Sequence, residues 1–182
     1  PAWSLAPLLP PEIPDRAALL RATELPVSPI LSLHLWYRHD LDVEAAIGVI
    51  GRSVQWIFNR RKIEEKGGQG GHLSCVISAA RDLVDESNEA LTRLAADDVQ
   101  AVCGISGGDL VHKAVIREHR ATFSPRPDTE PLRPGQVTGI QNLFLAGDWT
   151  STGLPGTIEG AVWSGQRCAE LVQAQQLHLP YS

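Results

Sequence analysis

A short segment near the C-terminus holds residues whose types could bind a ligand. Gly147 and Asp148 follow the apolar run 142–146 (NLFLA), and residues 150–156 (TSTGLPG) lead from them into a predicted helix. A glycine lets a ligand approach the backbone, and a carboxylate accepts hydrogen bonds from a hydroxyl group. Free N–H groups at a helix N-terminus stabilise an electron-rich or anionic group. An ordinary strand-to-helix connection with a solvated Asp148 is the alternative that this spacing leaves open.

The elements around this segment are the most regular part of the sequence. The run 142–146 predicts a short strand, and residues 157 to about 175 predict a long helix. One face of the helix gathers small and apolar residues: Ile158, Ala161, Val162, Gly165, Cys168, Ala169 and Val172. Gly160 and Gly165 each cost about 1 kcal/mol relative to alanine inside a helix. Close packing against a sheet or a flat cofactor would offset that cost.

The preceding part of the chain predicts one mainly antiparallel sheet. Five apolar or alternating runs are typical of strands: 30–37, 46–50, 53–58, 72–79 and 111–121. Gly51 and Arg52 separate the second run from the third, which favours a hairpin. The charged and then glycine-rich stretch 60–71 predicts an exposed loop.

A predicted helix over residues 88–102 would cover one face of this sheet. Its apolar residues recur at helical spacing and include Leu91, Leu94 and Val99. Asp85 or Ser87 would cap its N-terminus. The uncovered face of the sheet would then form the wall of a substrate site.

Composition divides the chain into three predicted parts. Residues 1–29 hold seven of the 13 prolines and predict an irregular connector, with one short helix over 15–23 that Asp15 caps. Residues 30–135 form the predicted substrate-binding portion, and residues 136–182 form the final strand, turn and helix. The predicted fold class is therefore α+β, a mainly antiparallel sheet with a covering helix joined to the last strand and helix of an α/β domain.

Charge and composition exclude several classes of protein. The 182 residues carry 16 Lys+Arg and 21 Asp+Glu, a net charge of −5, which argues against a nucleic-acid partner. No run approaches the ~18 apolar residues that a transmembrane helix needs. The three cysteines are far apart and indicate ordinary reduced thiols of a cytosolic protein. The sequence contains no Met and opens on Pro1, so we expect a piece of a longer polypeptide.

Other reactive residue types give weaker signals. The six histidines are scattered, with no i,i+4 pair on a helix, so no metal site is predicted. Four serines lie outside any GxSxG motif, which disfavours a serine hydrolase: Ser74, Ser78, Ser106 and Ser164. Arg117, His119 and Arg120 could bind an anion, although a solvated charged face is favoured.

Aromatic residues of the predicted sheet allow two interpretations. Trp36, Trp56 and Phe58 could line a channel for an apolar substrate, but periodicity alone favours a place in the core. Trp149 and Trp163, near the candidate ligand segment, allow the same two interpretations.

The C-terminal run NLFLAGDWTSTGLPGTIEGAVWSGQRCAE resembles the flavin-contacting segment of the amine oxidase and phytoene desaturase superfamily. Four further stretches resemble the squalene-associated flavoprotein desaturases, the hydroxysqualene dehydroxylases of hopanoid biosynthesis. They are PILSLHLWY at 29–37, GRSVQWIFN at 51–59, HLSCVISAAR at 72–81 and REHRATFSPRP at 117–127. The resemblance covers most of residues 27–175.

This resemblance implies an FAD-dependent oxidoreductase acting on an apolar isoprenoid. Asp148 matches the acidic residue that holds the ribityl chain, and Thr157 and Ile158 open the helix that faces the flavin pyrimidine edge. A helix N-terminus stabilises the negative charge of reduced flavin. The implied cofactor-binding residues are Gly147, Asp148, Leu154, Gly156, Thr157 and Ile158. Glu159 is interpreted as compensating the helix dipole, and no catalytic residue is assigned.

The resemblance also leaves functions and partners open. No GxGxxG finger occurs among the 16 glycines, so we expect a missing N-terminal FAD-binding segment or a partner chain to complete the site. An incomplete layer would leave apolar surface exposed at Ala161, Val162 and Cys168. We expect a cytoplasmic protein, with peripheral membrane contact through its apolar substrate as an open alternative.

Four functions remain in order of preference. The first is reductive dehydroxylation of hydroxysqualene, and the second is desaturation of an isoprenoid or carotenoid. Amine oxidation comes third, because such enzymes usually place an aromatic residue where Thr157 stands. A non-catalytic module that binds an apolar ligand or completes a partner chain is the fourth.

Overall fold

The computed structural model describes residues 1–64 and 69–176. Its helices and strands, in chain order, are α1 (Arg16–Leu20), β1 (Val27–Tyr37), β2 (Ala46–Gly48), β3 (Trp56–Asn59), α2 (Arg60–Glu64), β4 (Gly71–Ser78), α3 (Asn88–Cys103), β5 (Leu110–Phe123) and α4 (Ile158–Gln176). Short 3-10 helices occupy Ala2–Ser4, Ala6–Leu8, Arg21–Glu24, Gly107–Asp109 and Glu130–Leu132. Within the described ranges, no helix is long and apolar enough to cross a membrane.

The chain forms two compact units. The sheet unit comprises residues 28–121, and the C-terminal unit comprises residues 1–27 together with the described residues from 122 onward. The functional boundaries proposed from composition, after residues 29 and 135, stay a prediction.

The sheet unit contains one five-stranded sheet in the order β2-β3-β4-β1-β5. The long central pair is antiparallel, with Ile30 opposite Ser78 and Tyr37 opposite Gly71. The pairs β2–β3 and β3–β4 are antiparallel as well. The predicted single, mainly antiparallel sheet is therefore confirmed, and β5 is the outer strand on one side of it.

Helix α3 covers one face of this sheet, as predicted. Its N-terminus is capped by Ser87, whose Oγ accepts a hydrogen bond from the N–H of Ala90 at 3.1 Å, and it ends at Gly104 in the left-handed region. The fully buried residues between helix and sheet alternate along the strands and recur at helical spacing: Leu31, Leu33, Leu35, Ile57, Leu73, Cys75, Leu91, Ala95 and Val99. Apolar residues recur at every second position of the strands and at every third or fourth position of the helix, so each element has one apolar side, and these sides pack together as the core.

Two polar side chains fasten the connections of the sheet unit. Asp98 of α3 accepts a hydrogen bond from the N–H of Val54 at 2.9 Å, which anchors the β2–β3 hairpin. Arg117 of β5 donates to the carbonyls of Val84 at 2.9 Å and Glu86 at 2.6 Å. Arg117 is partly buried, and its guanidinium holds the segment before α3 rather than standing free for an anion.

Several local predictions are wrong at the level of single elements. Residues 60–64 form α2 rather than a loop, and residues 65–68 lie outside the described part. The strand predicted over 142–146 is an isolated bridge between Val137 and Phe144, because no longer ladder pairs with it among the described residues. Asp15 precedes α1, but its side chain makes no capping hydrogen bond.

The aromatic residues of the sheet do not lie in the core. Trp56 is 47% exposed, while Trp36 and Phe58 are partly buried. They share strands with the core residues but occupy alternate positions, so they lie on the face opposite α3. The prediction that these three residues lie in the core is therefore wrong, because alternation along a strand separates two faces without showing which of them a helix covers.

The C-terminal unit has a smaller apolar cluster. Its buried members come from distant parts of the sequence: Ala2, Leu5, Leu9, Leu19, Ala22, Leu25, Phe123, Leu145 and Trp149. Helix α4 leaves much of its predicted apolar face open, with Ile158 86% and Val162 55% exposed. Ala161 and Cys168 are partly buried, so the expected exposure holds for Val162 alone of the three residues for which it was predicted.

Candidate functional site

The loop over residues 147–156 is organised by a buried arginine. Nη2 of Arg133 donates to the backbone carbonyls of Asp148 at 3.2 Å, Thr150 at 2.6 Å and Leu154 at 2.9 Å. One side chain thereby fixes both ends and the middle of the loop. Hydrogen bonds from a charged donor are stronger than neutral ones, so the loop conformation is well determined.

The rest of the Arg133 guanidinium is also enclosed. Nη1 forms an ion pair with Glu130 at 2.9 Å, and the guanidinium carbon lies 4.9 Å from the ring centroid of Phe123. The arginine side chain is 3% exposed, and among the residues that the structure describes its Nε has no hydrogen-bond partner. Burying a charge is costly unless it is paired and hydrogen-bonded, and here Glu130 and the loop carbonyls compensate the guanidinium. Because the same hydrogen bonds fix the loop, Arg133 is a positioning residue.

A second set of hydrogen bonds ties the loop to α4. Oγ of Ser164, buried inside the helix face, accepts from the N–H of Gly147 at 2.8 Å and lies 2.9 Å from Oγ1 of Thr150. Thr150 also donates to the carbonyl of Gly147 at 2.8 Å. The start of the loop and the second turn of the helix therefore form one rigid arrangement.

Two glycines of the loop are required by packing inside the unit. Gly147 has φ of 145°, and a Cβ there would collide with the indole nitrogen of Trp149. At Gly156 a Cβ would lie 2.5 Å from Oγ1 of Thr122 and 2.8 Å from a ring carbon of Phe123. The expectation that Gly147 makes room for a ligand is not needed to explain this residue, because its own neighbours already exclude a side chain.

The carboxylate of Asp148 remains available to a ligand. Its Oδ2 lies 3.5 Å from Oγ1 of Thr122, a long contact, and the side chain is only partly buried. Asp148 makes no ion pair among the described residues. The described residues thus leave its acceptor sites largely unused.

The N-terminus of α4 lies at the other end of the loop. Oγ1 of Thr157 accepts from the N–H of Gly160 at 3.2 Å, which caps one donor of the first turn. Ile158 and Glu159 are exposed at the start of the helix. These groups fit one part of a flavin. The Asp148 carboxylate can accept a hydrogen bond from a ribityl hydroxyl, and the N–H groups at the start of α4, beside the exposed Ile158, can face the pyrimidine edge.

The structure places the predicted site residues on one continuous segment. Arg133 joins Asp148 to Leu154, and the glycine at 156 lies beside the Asp148 carboxylate, with Oδ2 3.3 Å from the position of a Cβ. Thr157 and Ile158 follow directly. Their role in cofactor binding stays a prediction.

Sequence reasoning missed the residues that hold this segment. Arg133 stands in a proline-rich stretch with no periodic pattern, and Thr150 lies in a turn. Ser164 gave one usable signal, because it is a polar residue among the small and apolar residues of the predicted helix. Such a residue needs a hydrogen-bond partner if it is buried, and Ser164 is fully buried.

The face of the sheet opposite α3, on which Trp36, Trp56 and Phe58 lie and which is called the outer face below, carries a further cluster that sequence reasoning missed. Trp36 stacks on His72 with ring centroids 4.3 Å apart, and Nδ1 of His34 lies 3.0 Å from Nε2 of His72. His34 and His72 are 38 residues apart, so only the strand register reveals their contact.

A family model described as flavin containing amine oxidoreductase matches residues 1–173. The chain belongs to the flavin-containing amine oxidoreductase family. The match includes both units and the whole of the candidate loop. It confirms the predicted superfamily and the prediction of FAD as the cofactor.

Individual relatives give finer comparisons. A hydroxysqualene dehydroxylase from Sinorhizobium fredii is 39% identical over 167 residues, covering 90% of this chain and 38% of that protein. A 15-cis-phytoene desaturase from an Oncidium hybrid cultivar is 27% identical over 177 residues, covering 91% of this chain and 30% of that protein. The chain thus spans less than two fifths of the length of either relative.

Solved structures agree on the fold. A putative protoporphyrinogen oxidase from Exiguobacterium sp. 255-15 superposes with a TM-score of 0.64 at 16% identity, covering 96% of this chain and 40% of that one. This likeness confirms the predicted α+β fold class.

Proposed function

We propose that this chain is part of an FAD-dependent oxidoreductase that reductively dehydroxylates hydroxysqualene. The observation that carries the proposal is the contrast between two relatives matched over almost the same length. The hydroxysqualene dehydroxylase is 39% identical and the phytoene desaturase 27% identical, at 90% and 91% coverage of this chain.

The C-terminal unit would hold the flavin end of the cofactor. Asp148 would accept a hydrogen bond from a ribityl hydroxyl, and the first turn of α4 would stabilise negative charge on the pyrimidine edge. Arg133 and Ser164 would keep that segment in the binding conformation before the cofactor arrives. When bound and reduced, the flavin would supply the hydride that replaces the hydroxyl group, which would take up a proton and leave as water.

The outer face of the sheet unit would contact the isoprenoid. Its partly exposed apolar and aromatic side chains offer area for a long hydrocarbon: Ile30, Trp36, Trp56, Phe58 and Val76. Burying such surfaces against a hydrocarbon is favourable by roughly 25 cal/mol per Å². An apolar substrate, and a further segment or partner chain that completes the cofactor site, are both parts of this proposal.

Desaturation of an isoprenoid hydrocarbon is the second candidate, supported by the match to the phytoene desaturase. The two reactions differ in redox direction. Dehydroxylation consumes reduced flavin, whereas desaturation consumes oxidised flavin.

The test uses the full-length protein with its flavin. Reduced enzyme is mixed anaerobically with hydroxysqualene, and flavin absorbance and squalene are followed together. We expect reoxidation of the flavin with one squalene formed per flavin oxidised. Oxidised enzyme mixed with phytoene is the parallel reaction, and bleaching of the flavin there without turnover of hydroxysqualene would replace the first candidate by the second.

A further inference from the structure

The outer face contains two imidazoles joined end to end by a hydrogen bond. His34 on β1 and His72 on β4 are diagonal neighbours, since His34 stands opposite Ser74 and Trp36 opposite His72. Nδ1 of His34 lies 3.0 Å from Nε2 of His72, and the two ring centroids are 5.3 Å apart. At these two distances the second nitrogen of each ring points away from the other ring, so the pair has one outward nitrogen at each end. Neither outward nitrogen has a partner among the described residues.

Stacking fixes the orientation of both rings. The indole of Trp36 lies 4.3 Å from the His72 ring at an interplanar angle of 13°, and 5.8 Å from the His34 ring at 26°. His112 of β5, a further titratable group in this stack, lies 4.9 Å from the Trp36 ring. Because aromatic neighbours restrict both imidazoles, the hydrogen bond between them and the directions of their outward nitrogens are maintained.

The two imidazoles are the titratable groups that β1, β3 and β4 place on this face. The other paired residues there are apolar, aromatic or hydroxyl-bearing: Ile30, Ser32, Trp36, Trp56, Phe58, Ser74, Val76 and Ser78. Within the described parts of these three strands, His34 and His72 are therefore the groups that can exchange a proton with a ligand on this face near neutral pH.

The two ends of the pair lie at different places on the sheet. Strand β3 pairs with β4 as far as Asn59 opposite Leu73, and the charged helix α2 follows directly. His72 therefore lies at the α2 end of the sheet. His34 lies one row further from α2, in the same row as Phe58. The outward nitrogen of His34 thus belongs to the apolar part of the face, and that of His72 to its charged end.

The surroundings of the pair favour its neutral form. Burial lowers the pKa of His34 below its ordinary 6.5, with a smaller contribution from the positive charge of Arg60. Burial also lowers the pKa of His72, where His34, Arg60 and Arg61 add to the effect and Glu64 opposes it. Both imidazoles are therefore predominantly neutral at pH 7, and a neutral imidazole has one N–H and one acceptor nitrogen.

We propose that His34 donates the proton with which the substrate hydroxyl group leaves as water, and that His72 relays a proton from solvent to His34. Hydroxide is a poor leaving group, so breaking the C–O bond requires a proton on the oxygen. A positioned histidine is the side chain that most often transfers such a proton. This inference rests on the proposed function and adds to it the group that protonates the departing hydroxyl.

The proton transfers balance within the pair. In the starting tautomer, Nε2 of His72 donates to Nδ1 of His34, and Nε2 of His34 carries the outward N–H. The substrate oxygen takes the proton of His34 Nε2, His34 Nδ1 takes the bridging proton, and His72 Nδ1 takes a proton from solvent. The C–O bond breaks with its electron pair on oxygen, and the carbon receives the hydride. The pair is neutral before and after, and exchange of its outward protons with water restores the starting tautomer.

The experiment follows single turnovers of the full-length protein with reduced flavin. The protein is mixed anaerobically with saturating hydroxysqualene, and the rate of flavin reoxidation and the squalene formed are measured. His34→Phe keeps an aromatic ring in the stack but has no proton to donate, so the rate should fall about 10²- to 10⁴-fold. Binding of hydroxysqualene to the oxidised protein, which cannot reduce it, should stay close to that of the wild type.

Variants of His72 separate proton transfer from positioning. His72→Gln retains a donor and an acceptor for His34, but an amide side chain does not pass a proton from one end to the other. We therefore expect His72→Gln to be slowed as strongly as His72→Phe. A wild-type rate in His72→Gln would mean that His72 only orients His34, which would overturn the relay. His119→Phe, at an exposed histidine of β5, is the matched control and should react at the wild-type rate.

A second substrate tests the chemistry independently of the fold. The acetate ester of hydroxysqualene releases acetate, which leaves without first taking up a proton. The wild type, His34→Phe and His72→Phe should therefore reduce the ester at similar rates. If the variants are slowed by the same factor on the ester as on the alcohol, the imidazoles act structurally and the inference is overturned.

Failure of this inference differs from failure of the proposed function. If the wild type and His34→Phe form squalene from hydroxysqualene at the same rate, the inference is overturned and the proposed function stands. If the reduced wild-type protein forms no squalene, both are overturned. Melting temperatures of all variants establish that the compared proteins are folded.

Discussion

Residues 28–121 bury their core between α3 and a hydrogen-bonded sheet, whereas the C-terminal unit depends on a few polar side chains that hold a long loop. In the first unit, alternate strand residues such as Leu33 and helix residues such as Leu91 are fully buried. In the second, Arg133 and Ser164 form hydrogen bonds with four backbone groups of residues 147–156. The sheet unit should therefore lose stability when apolar volume is removed, and the C-terminal unit should lose cofactor when one polar group is removed.

The largest expected effect comes from the sheet core. Leu33→Ala removes a fully buried side chain and should lower the free energy of unfolding by about 2–5 kcal/mol, through lost transfer energy and a cavity. Leu8→Ala, at a position that is 74% exposed, is the control and should change it by less than about 0.5 kcal/mol. Urea denaturation measures both. A loss below about 1 kcal/mol at Leu33 would mean that the core collapses around the deletion.

Arg133→Met tests the organisation of the loop. The variant keeps apolar bulk but loses three hydrogen bonds to carbonyls, so the free energy of unfolding of the apoprotein should fall by about 1.5–3 kcal/mol. Flavin content of the purified full-length protein should fall as well. Arg126→Met, on an exposed arginine paired with Asp128, is the matched control. Full flavin occupancy in Arg133→Met would show that the loop holds its conformation without the guanidinium.

Asp148→Ala should separate binding from stability. Loss of a charge-assisted hydrogen bond should cost roughly 1.5–3 kcal/mol of FAD binding, about a 10- to 150-fold weaker cofactor. The apoprotein should change by less than about 0.5 kcal/mol, because the carboxylate makes only a 3.5 Å contact.

The readouts for Asp148→Ala are flavin titration at limiting FAD and apoprotein melting temperature, with Asp128→Ala as control. Unchanged occupancy would remove Asp148 from the cofactor site. A large drop in melting temperature would instead make it a structural residue of the loop.

The smallest expected effect is a pH dependence of the sheet unit. His34 and His72 have a pKa below 6.5 in the folded protein, so the unfolded chain binds more protons between the lowered pKa and 6.5. The free energy of unfolding should therefore decrease as pH falls below about 6.5 and be fully present above it. The double variant His34→Phe/His72→Phe should show a shallower decrease in urea titrations between pH 7.5 and 5.5. Equal slopes would mean that neither imidazole carries this linkage.

The same comparison explains which features the sequence could predict. Alternation in residues 72–79 and helical spacing over 88–102 indicate directly which residues are buried, so the sheet and α3 were predicted correctly, and Ser87 is one of the two cap candidates that the sequence offered. Among the described residues of the C-terminal unit, α4 alone has such a pattern. Arg133 contacts carbonyls 15 to 21 residues away, a relation that no local period encodes.

Register and coverage set a second limit. Alternation on β1 identifies two faces but not the one that a helix covers, so Trp36 was assigned to the wrong side. Likewise, the contact between His34 and His72 depends on the pairing of β1 with β4. The family resemblance predicted the ligand class and the site segment, but it could not supply these contacts.

Strand β5 has a consequence for assembly. It is one of the two outer strands of the sheet within the described residues, and its 14 residues offer a long row of backbone groups to which a foreign strand could add. The exposed side chains of Lys113, Glu118 and Arg120 place charge along that row. A strand joining this edge would have to desolvate those charges, which disfavours indiscriminate edge-to-edge aggregation. The sheet can therefore expose aromatic side chains on one face while the charges along β5 disfavour pairing of other chains with that edge.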